Sequence, residues 1–349
     1  MSVSKKPIAS AEGESFWGKV GSRTSLKNTS GVLKSKTKRA DDTVLALSKV
    51  EDNLFNPVNF DELFGQHGKS IEDKTDFQIL TDRKKNVVTL LSVDWDENDL
   101  KERGVNIPSW NRLTAFDRAV CTAVASLFFA GNRHLTSRMV YQVLCGNKAK
   151  VNPTPDMLKQ ISRSISRMSV IRVTVDATAE VKAKRNIRAE YEDYLLNTTI
   201  VRATINGVMA DCVQVNTPPI LYLYANAKNQ IARMNIKMLD APINNTSENI
   251  ELKDYLMRRI SGMRSDKSKL NNTIRYDTIY EYLELEATGY SVQGLRDKKK
   301  AVRDTIKRIL EDWTAKGEIE GFDEISEGRT KTKVILKLTT EKSLPRGSR

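Results

Sequence analysis

The chain has 349 residues, 57 Lys and Arg against 44 Asp and Glu, a formal net charge of +13 and only two histidines. No run approaches the roughly 18–20 apolar residues that cross a bilayer, which excludes an integral membrane protein, and a length of this order is expected to divide into two domains plus tails. Cys121, Cys145 and Cys212 stand far apart with no CxxC pair and the start is polar and basic, so a reducing cytoplasm is expected rather than a disulfide framework, a zinc ribbon or a secretory signal.

The charge is unevenly spread. Residues 1–40 hold nine Lys/Arg and two Glu with almost no apolar periodicity, and read as a disordered basic arm. Residues 41–90 reverse the balance, with six basic and ten acidic residues. The segment 41–106 reads as an acidic linker or docking segment, in which Leu54, Phe55, Phe60, Leu63 and Phe64 form a small apolar cluster and residues 86–93 a strand. The remainder, 91–349, carries +10. The folded part is therefore basic in its own right, and a polyanion, nucleic acid above all, is the expected partner.

A first domain is expected over 107–217. Thr114 caps a helix whose Phe116, Val120, Ala123, Val124 and Leu127 recur at three- and four-residue spacing, and Gly131-Asn132 ends it. Thr136 caps a second helix, stopped by Gly146-Asn147. Thr154-Pro155-Asp156 opens a third, with Met157, Ile161, Ile165 and Met168 as its buried stripe and Lys159, Arg163 and Arg167 along one solvent edge. Val170–Val175 reads as a strand. Residues 177–197, with Lys182, Lys184, Arg185 and Arg188, read as a wing tip or an inserted helix. Two strand-like runs around Asn206-Gly207 form a hairpin that would close the wing sheet. Helix, helix, basic helix and strand is the order of a winged helix, whose third helix enters the major groove.

Thr217-Pro218-Pro219 marks a boundary, and a second domain is expected over 218–340, with a tail at 341–349. Residues 221–238 look helical or mixed, with Tyr222 and Tyr224 either core or interface. Ser247 is expected to cap a helix carrying Ile250, Leu252, Leu256 and Ile260. Residues 274–276 read as a strand, Asp277 as the cap of a short helix, and Ser291 as the start of a long one that holds eight Lys/Arg against four acids between Arg296 and Lys316. Two alternating runs around Arg329-Thr330-Lys331 follow. The expected fold class is α+β, with two tandem winged helices behind the basic arm.

This arrangement resembles the initiator proteins of iteron-type plasmid replication. The resemblance rests on the Leu113–Leu127 helix, the Ser291–Lys316 helix with its Arg296-Asp297-Lys298-Lys299-Lys300 start, and the strand Lys331–Leu338. It covers roughly residues 107–340, and the stretch 177–245 is longer than a plain connection between two domains. It implies a cytoplasmic, nucleoid- or plasmid-associated protein that binds double-stranded origin repeats, helps open the origin without chemistry of its own, and engages host helicase or primase machinery. Homodimerisation through the first winged helix is implied as well. On charge type, Arg163, Arg167, Arg296 and Arg303 are base-reading candidates, because a guanidinium can bridge two guanine acceptors. Lys159, Lys299, Lys300 and Lys307 are phosphate candidates, Lys298 a further contact, and Lys184, Arg185, Arg329 and Lys331 wing candidates. A transcriptional or partition regulator is the alternative within the binding class, and a DNA nickase or recombinase the enzymatic one.

Motifs for chemistry are weak. Gly65-Gln66-His67-Gly68-Lys69-Ser70 lacks the glycine a phosphate loop needs, since position 63 is Leu63. A calcium loop starting at Asp94 would need Gly and Glu where Asp99 and Val105 stand. His67 and His134 are too far apart in sequence for a His-x-His metal site. No catalytic residue, metal or cofactor is expected.

Overall fold

The computed structural model describes residues 53–57, 75–82, 87–95, 113–146, 152–176, 178, 190–205, 208–227, 231–265, 272–286, 289–328 and 330–338, all within the unit Arg39–Arg349. The basic arm 1–40, the tail 341–349 and the motif at Gly65–Ser70 lie outside the described residues. The fold is α+β. In chain order the elements are β1 (Asn53–Pro57), β2 (Thr75–Asp82), β3 (Val87–Trp95), α1 (Ala115–Phe129), β4 (His134–Leu135), α2 (Ser137–Leu144), α3 (Pro155–Met168), β5 (Ile171–Asp176), β6 (Glu190–Tyr194), β7 (Thr198–Ile205) and β8 (Val208–Val215). Then come α4 (Ile220–Ala227), β9 (Ile231–Asn235), a 3-10 turn (Ile236–Leu239), α5 (Ser247–Ser265), β10 (Thr273–Arg275), α6 (Tyr276–Tyr282), α7 (Val292–Ala315), β11 (Gly321–Glu327) and β12 (Thr330–Lys337).

The helices begin where capping chemistry places them. Thr114, Thr136, Thr154 and Ser291 each accept a backbone N–H with the side-chain oxygen, satisfying one donor that a first turn leaves open. Two expected caps shift. The hydroxyl of Thr246, not Ser247, accepts from the Asn249 N–H at 3.3 Å, so Ser247 is already helical. Helix α6 starts at Tyr276 behind Arg275, which makes no side-chain cap bond, so Asp277 sits inside the first turn.

Asp117 ties α1 to α3. Its Oδ2 accepts from the Thr114 backbone N–H at 2.7 Å and the Thr114 hydroxyl at 2.9 Å, while the Asp117 N–H donates to Thr114 Oγ1 at 3.2 Å, a capping box. The same carboxylate takes Arg167 Nη1 at 2.8 Å on Oδ2 and the Ser164 hydroxyl at 2.6 Å on Oδ1, both from α3. Asp117 is buried, so its charge is held by donors rather than by water.

One sheet plan occurs twice. In the first half, β4 between α1 and α2 pairs with β8, and β8 with β7, giving the order β4-β8-β7. In the second, β10 between α5 and α6 pairs with β12, and β12 with β11, giving β10-β12-β11. Each set runs helix, short strand, helix, helix, hairpin, and each sheet places the first strand beside the last. The strand expected at Val170–Val175 is present but does not join the β7–β8 hairpin. Both edges of β5 are occupied, by β3 and by β6, in a four-stranded sheet β2-β3-β5-β6. The segment 41–106 supplies β2 and β3 to that sheet, and β1, which holds Leu54 and Phe55, pairs with β9. Phe60, Leu63 and Phe64 lie outside the described residues. Of 177–197, β6 is strand and no part of a wing sheet.

A single apolar core runs from Leu113 to Leu336. Tyr222 and Tyr224 belong to it, as do Met157 and Met168. Trp313 of α7 is fully buried and donates its indole N–H to the Met238 carbonyl at 2.7 Å, locking α7 to the 3-10 turn. Lys253 of α5 is also fully buried, its Nζ donating to the Leu239 carbonyl at 2.7 Å and to Asn245 Oδ1 at 2.8 Å, which caps the end of that turn. Gly146 ends α2 at φ +78°, and a Cβ there would stand 2.6 Å from Asp240, so only glycine fits.

Helix α5 packs against α1, and Glu251 lies near this junction. Burial, followed by the negative charges of Asp117, Glu248, Glu284 and Asp254, pushes its carboxyl up to about 8. Folding therefore favours the protonated acid. This contribution is complete below the ordinary glutamate range and is lost as pH rises through about 8. Glu251→Gln is expected to flatten the fall of the thermal midpoint between pH 5 and pH 8 and to exceed the wild type at pH 8; parallel wild-type and variant profiles would contradict it. Asp117→Ala, which removes the carboxylate half of the capping box and strips Ser164 and Arg167 of their acceptor, is expected to cost roughly 3 kcal/mol in denaturant unfolding, and Asp117→Asn less because its amide oxygen still accepts. A loss under about 0.5 kcal/mol for the alanine variant would overturn the role assigned to Asp117.

Candidate nucleic-acid interface

Helix α7 separates its faces by sequence spacing. Val302, Ile306, Ile309, Leu310 and Trp313 are buried along one side. At roughly 100° of rotation per residue, Arg296, Lys300, Arg303 and Lys307 fall within an arc of about 60° on a neighbouring flank. Arg296 and Lys300 are exposed and form no ion pair among the described residues. Lys307 is exposed, with Glu311 at 3.8 Å one turn on, a weak surface pair.

The rest of the basic group is held by neighbours. Arg303 is half-buried, its Nη1 donating to the Tyr280 hydroxyl of α6 at 2.9 Å. Lys299, expected to meet phosphate, pairs with Glu286 at 3.0 Å and lies 5.1 Å from the centre of the Tyr280 ring. Lys298 pairs with Glu248 at 2.6 Å. Five residues then join α7 to its hairpin. Tyr280 stacks on Tyr276 with ring centres 6.3 Å apart, the Tyr276 hydroxyl donates to Glu324 Oε1 at 2.7 Å, and Glu324 pairs with Lys331. Burial raises both tyrosine hydroxyls above their usual range. Burial alone would raise Glu324 too, but hydrogen bonds from Lys331 and Tyr276 outweigh it and hold the carboxyl below its ordinary value.

Helix α3 is the counterpart in the first half. Lys159 and Arg163 are exposed, and neither forms an ion pair among the described residues. Arg167 departs from the solvent-facing expectation. Its side chain is only 17 % exposed and is bound to Asp117. Lys184, Arg185 and Arg329 lie outside the described residues. His134 sits exposed in β4 beside Arg133, whose guanidinium lies 4.1 Å from the Phe128 ring centre. Among the described residues no group of three His, Cys, Asp or Glu is placed to hold a metal, and no helix is long and apolar enough to cross a membrane.

One basic pair escaped sequence reading. Arg275 of β10 and Lys333 of β12 are register partners, side by side on the sheet face opposite buried Ile274 and Val334. Only the strand register brings them together, and residues 58 positions apart carry no local signal of it.

No protein-family model matches the chain, and no curated protein does. Among solved structures it is similar to domains 2 and 3 of RctB, at 11 % identity and a TM-score of 0.41 over 81 % of this chain and 95 % of that one. A selenomethionine form of the same two domains gives 10 % identity and a TM-score of 0.40, covering 80 % and 96 %. The Pi initiator protein, solved in complex with iteron DNA, follows at 13 % identity and a TM-score of 0.33, covering 63 % of this chain and 90 % of that one.

The link from Lys331 to Glu324 yields a direct test. Glu324 adds stability above the ordinary glutamate range that disappears as pH falls through its lowered value. In Lys331→Met the carboxyl resonance of Glu324 is expected to titrate at higher pH than in the wild type by NMR. An unchanged titration would show that Lys331 does not hold it.

Proposed function

We propose that the chain is a sequence-specific, double-stranded DNA-binding replication initiator of a plasmid or related mobile element. It reads origin repeats through two winged helices, spanning 107–217 and 218–340, and promotes opening without chemistry of its own. The observation that carries this reading is the basic flank of α7, exposed at Arg296, Lys300 and Lys307 and joined by half-buried Arg303, on the third helix of a helix, strand, helix, helix, hairpin set. Helix α3 holds the same place in the first set and offers Lys159 and Arg163. Two such helices would engage successive major grooves, with the lysines neutralising phosphates and the arginines nearest the bases. Bound by Tyr280 on its inner side, Arg303 enters this role already oriented, so less side-chain entropy is lost on contact. Arg167 acts here as a brace for α3 rather than as a base reader.

Binding of this kind releases counterions, so affinity falls steeply with salt. With repeats from the DNA beside the gene as probe, fluorescence anisotropy is expected to show preference over random duplex. The doubly reversed variant Lys300→Glu, Lys307→Glu is expected to lower the slope of log affinity against log salt by about 2. Equal affinity for repeats and random DNA at moderate salt, or an unchanged slope in the variant, would overturn the reading.

A further inference from the structure

The basic flank of α7 begins with an apolar residue that the charge argument does not use. Val292, the first residue of the helix, is 75 % exposed, the most exposed large apolar side chain among the described residues. Stepping back four residues from Arg296 turns about 40° around the axis, so Val292 lies on the same flank as Arg296, Lys300, Arg303 and Lys307. The five run as one line of side chains over roughly 22 Å of helix, apolar at the N-terminal end and cationic along the rest. Tyr290, 46 % exposed, precedes the Ser291 cap, and a Cβ on Gly294 would lie 3.9 Å from its ring, which places that ring against the first turn.

A valine this open gives nothing to the core, although it stands only about 40° around the axis from buried Ile306, at the border between the cationic flank and the buried side. Its occupant is set by the charges in line with it. An anionic duplex drawn by four cations to this flank meets Val292 at the end of the helix that points to the bases in a major groove. The apolar group displayed in that groove is the C5 methyl of thymine. We infer that Val292 is a specificity-determining residue that selects thymine by packing against its methyl group, while the arginines and lysines behind it fix register. The inference rests on the double-stranded DNA reading above and deepens it.

The test separates the two. The full chain is used to enrich binders from a random-sequence duplex library, and each thymine of the enriched sequence is then replaced singly by deoxyuridine, which lacks only that methyl. Wild-type affinity is expected to drop about three- to fivefold at one position, the factor for one apolar methyl removed from water. Val292→Ser is expected to bind the thymine and deoxyuridine duplexes alike at that position, and Val292→Ile to keep the difference. The same thymine-to-deoxyuridine ratio in the wild type and in Val292→Ser overturns the assignment to Val292 while leaving sequence-specific binding intact. A library that yields no enriched sequence overturns the DNA reading and the inference with it.

Discussion

The first half of the molecule is organised around one buried carboxylate. Asp117 accepts from two groups of Thr114, from Ser164 and from Arg167, so a single side chain starts α1 and fixes α3 across it. A buried charge is tolerable only when its acceptor positions are filled, and here each donor is itself placed by a helix. If α3 rotated about its axis, Ser164 and Arg167 would leave together and the charge would be stranded. This requirement sets which flank of α3 faces outward, and thereby where Lys159 and Arg163 stand.

The second half repeats the plan without that chemistry. Helix α7 is held by the fully buried Trp313 at one end and by the Tyr280–Tyr276–Glu324–Lys331 chain along its flank. The brace there is aromatic stacking with phenol hydroxyls as relays, closed by the Glu324–Lys331 ion pair at the hairpin, so it reaches the hairpin as well as the helix. Equivalent topology thus rests on unrelated contacts, in keeping with a fold fixed by strand order and apolar pattern more than by particular polar residues.

Local signals were legible in the sequence because their physics is local. Thr114, Thr136, Thr154 and Ser291 all cap the helices expected of them, and Met157, Ile161, Ile165 and Met168 are buried as their spacing implies. What escaped were partners set by the third dimension. Alternation in Ile171–Asp176 shows which side chains face inward but not that β3 and β6 would claim its two edges. Helical periodicity put Arg167 on a flank, yet its acceptor lies 50 residues earlier. The exposed residues of α7 were legible as a basic group. Their division into tethered Lys298, Lys299 and Arg303 and open Arg296 and Lys300 depends on Glu248, Glu286 and Tyr280, which other elements supply.

The departure of β5 from its own hairpin makes the two halves unequal as pieces of chain. The sheet β10-β12-β11 draws all its strands from Thr273–Lys337, with its helices close by in sequence. In the first half, β5 continues directly from α3 but takes β3 as a neighbour, a strand that precedes α1. A fragment beginning at α1 would keep exposed Lys159 and Arg163 yet leave the β3-facing edge of β5 without its ladder, an open row of backbone donors and acceptors that invites pairing with other molecules. The later half is not independent of those N-terminal strands either, because β9 takes β1 as its partner and α5 packs against α1, so the segment that precedes α1 finishes both halves.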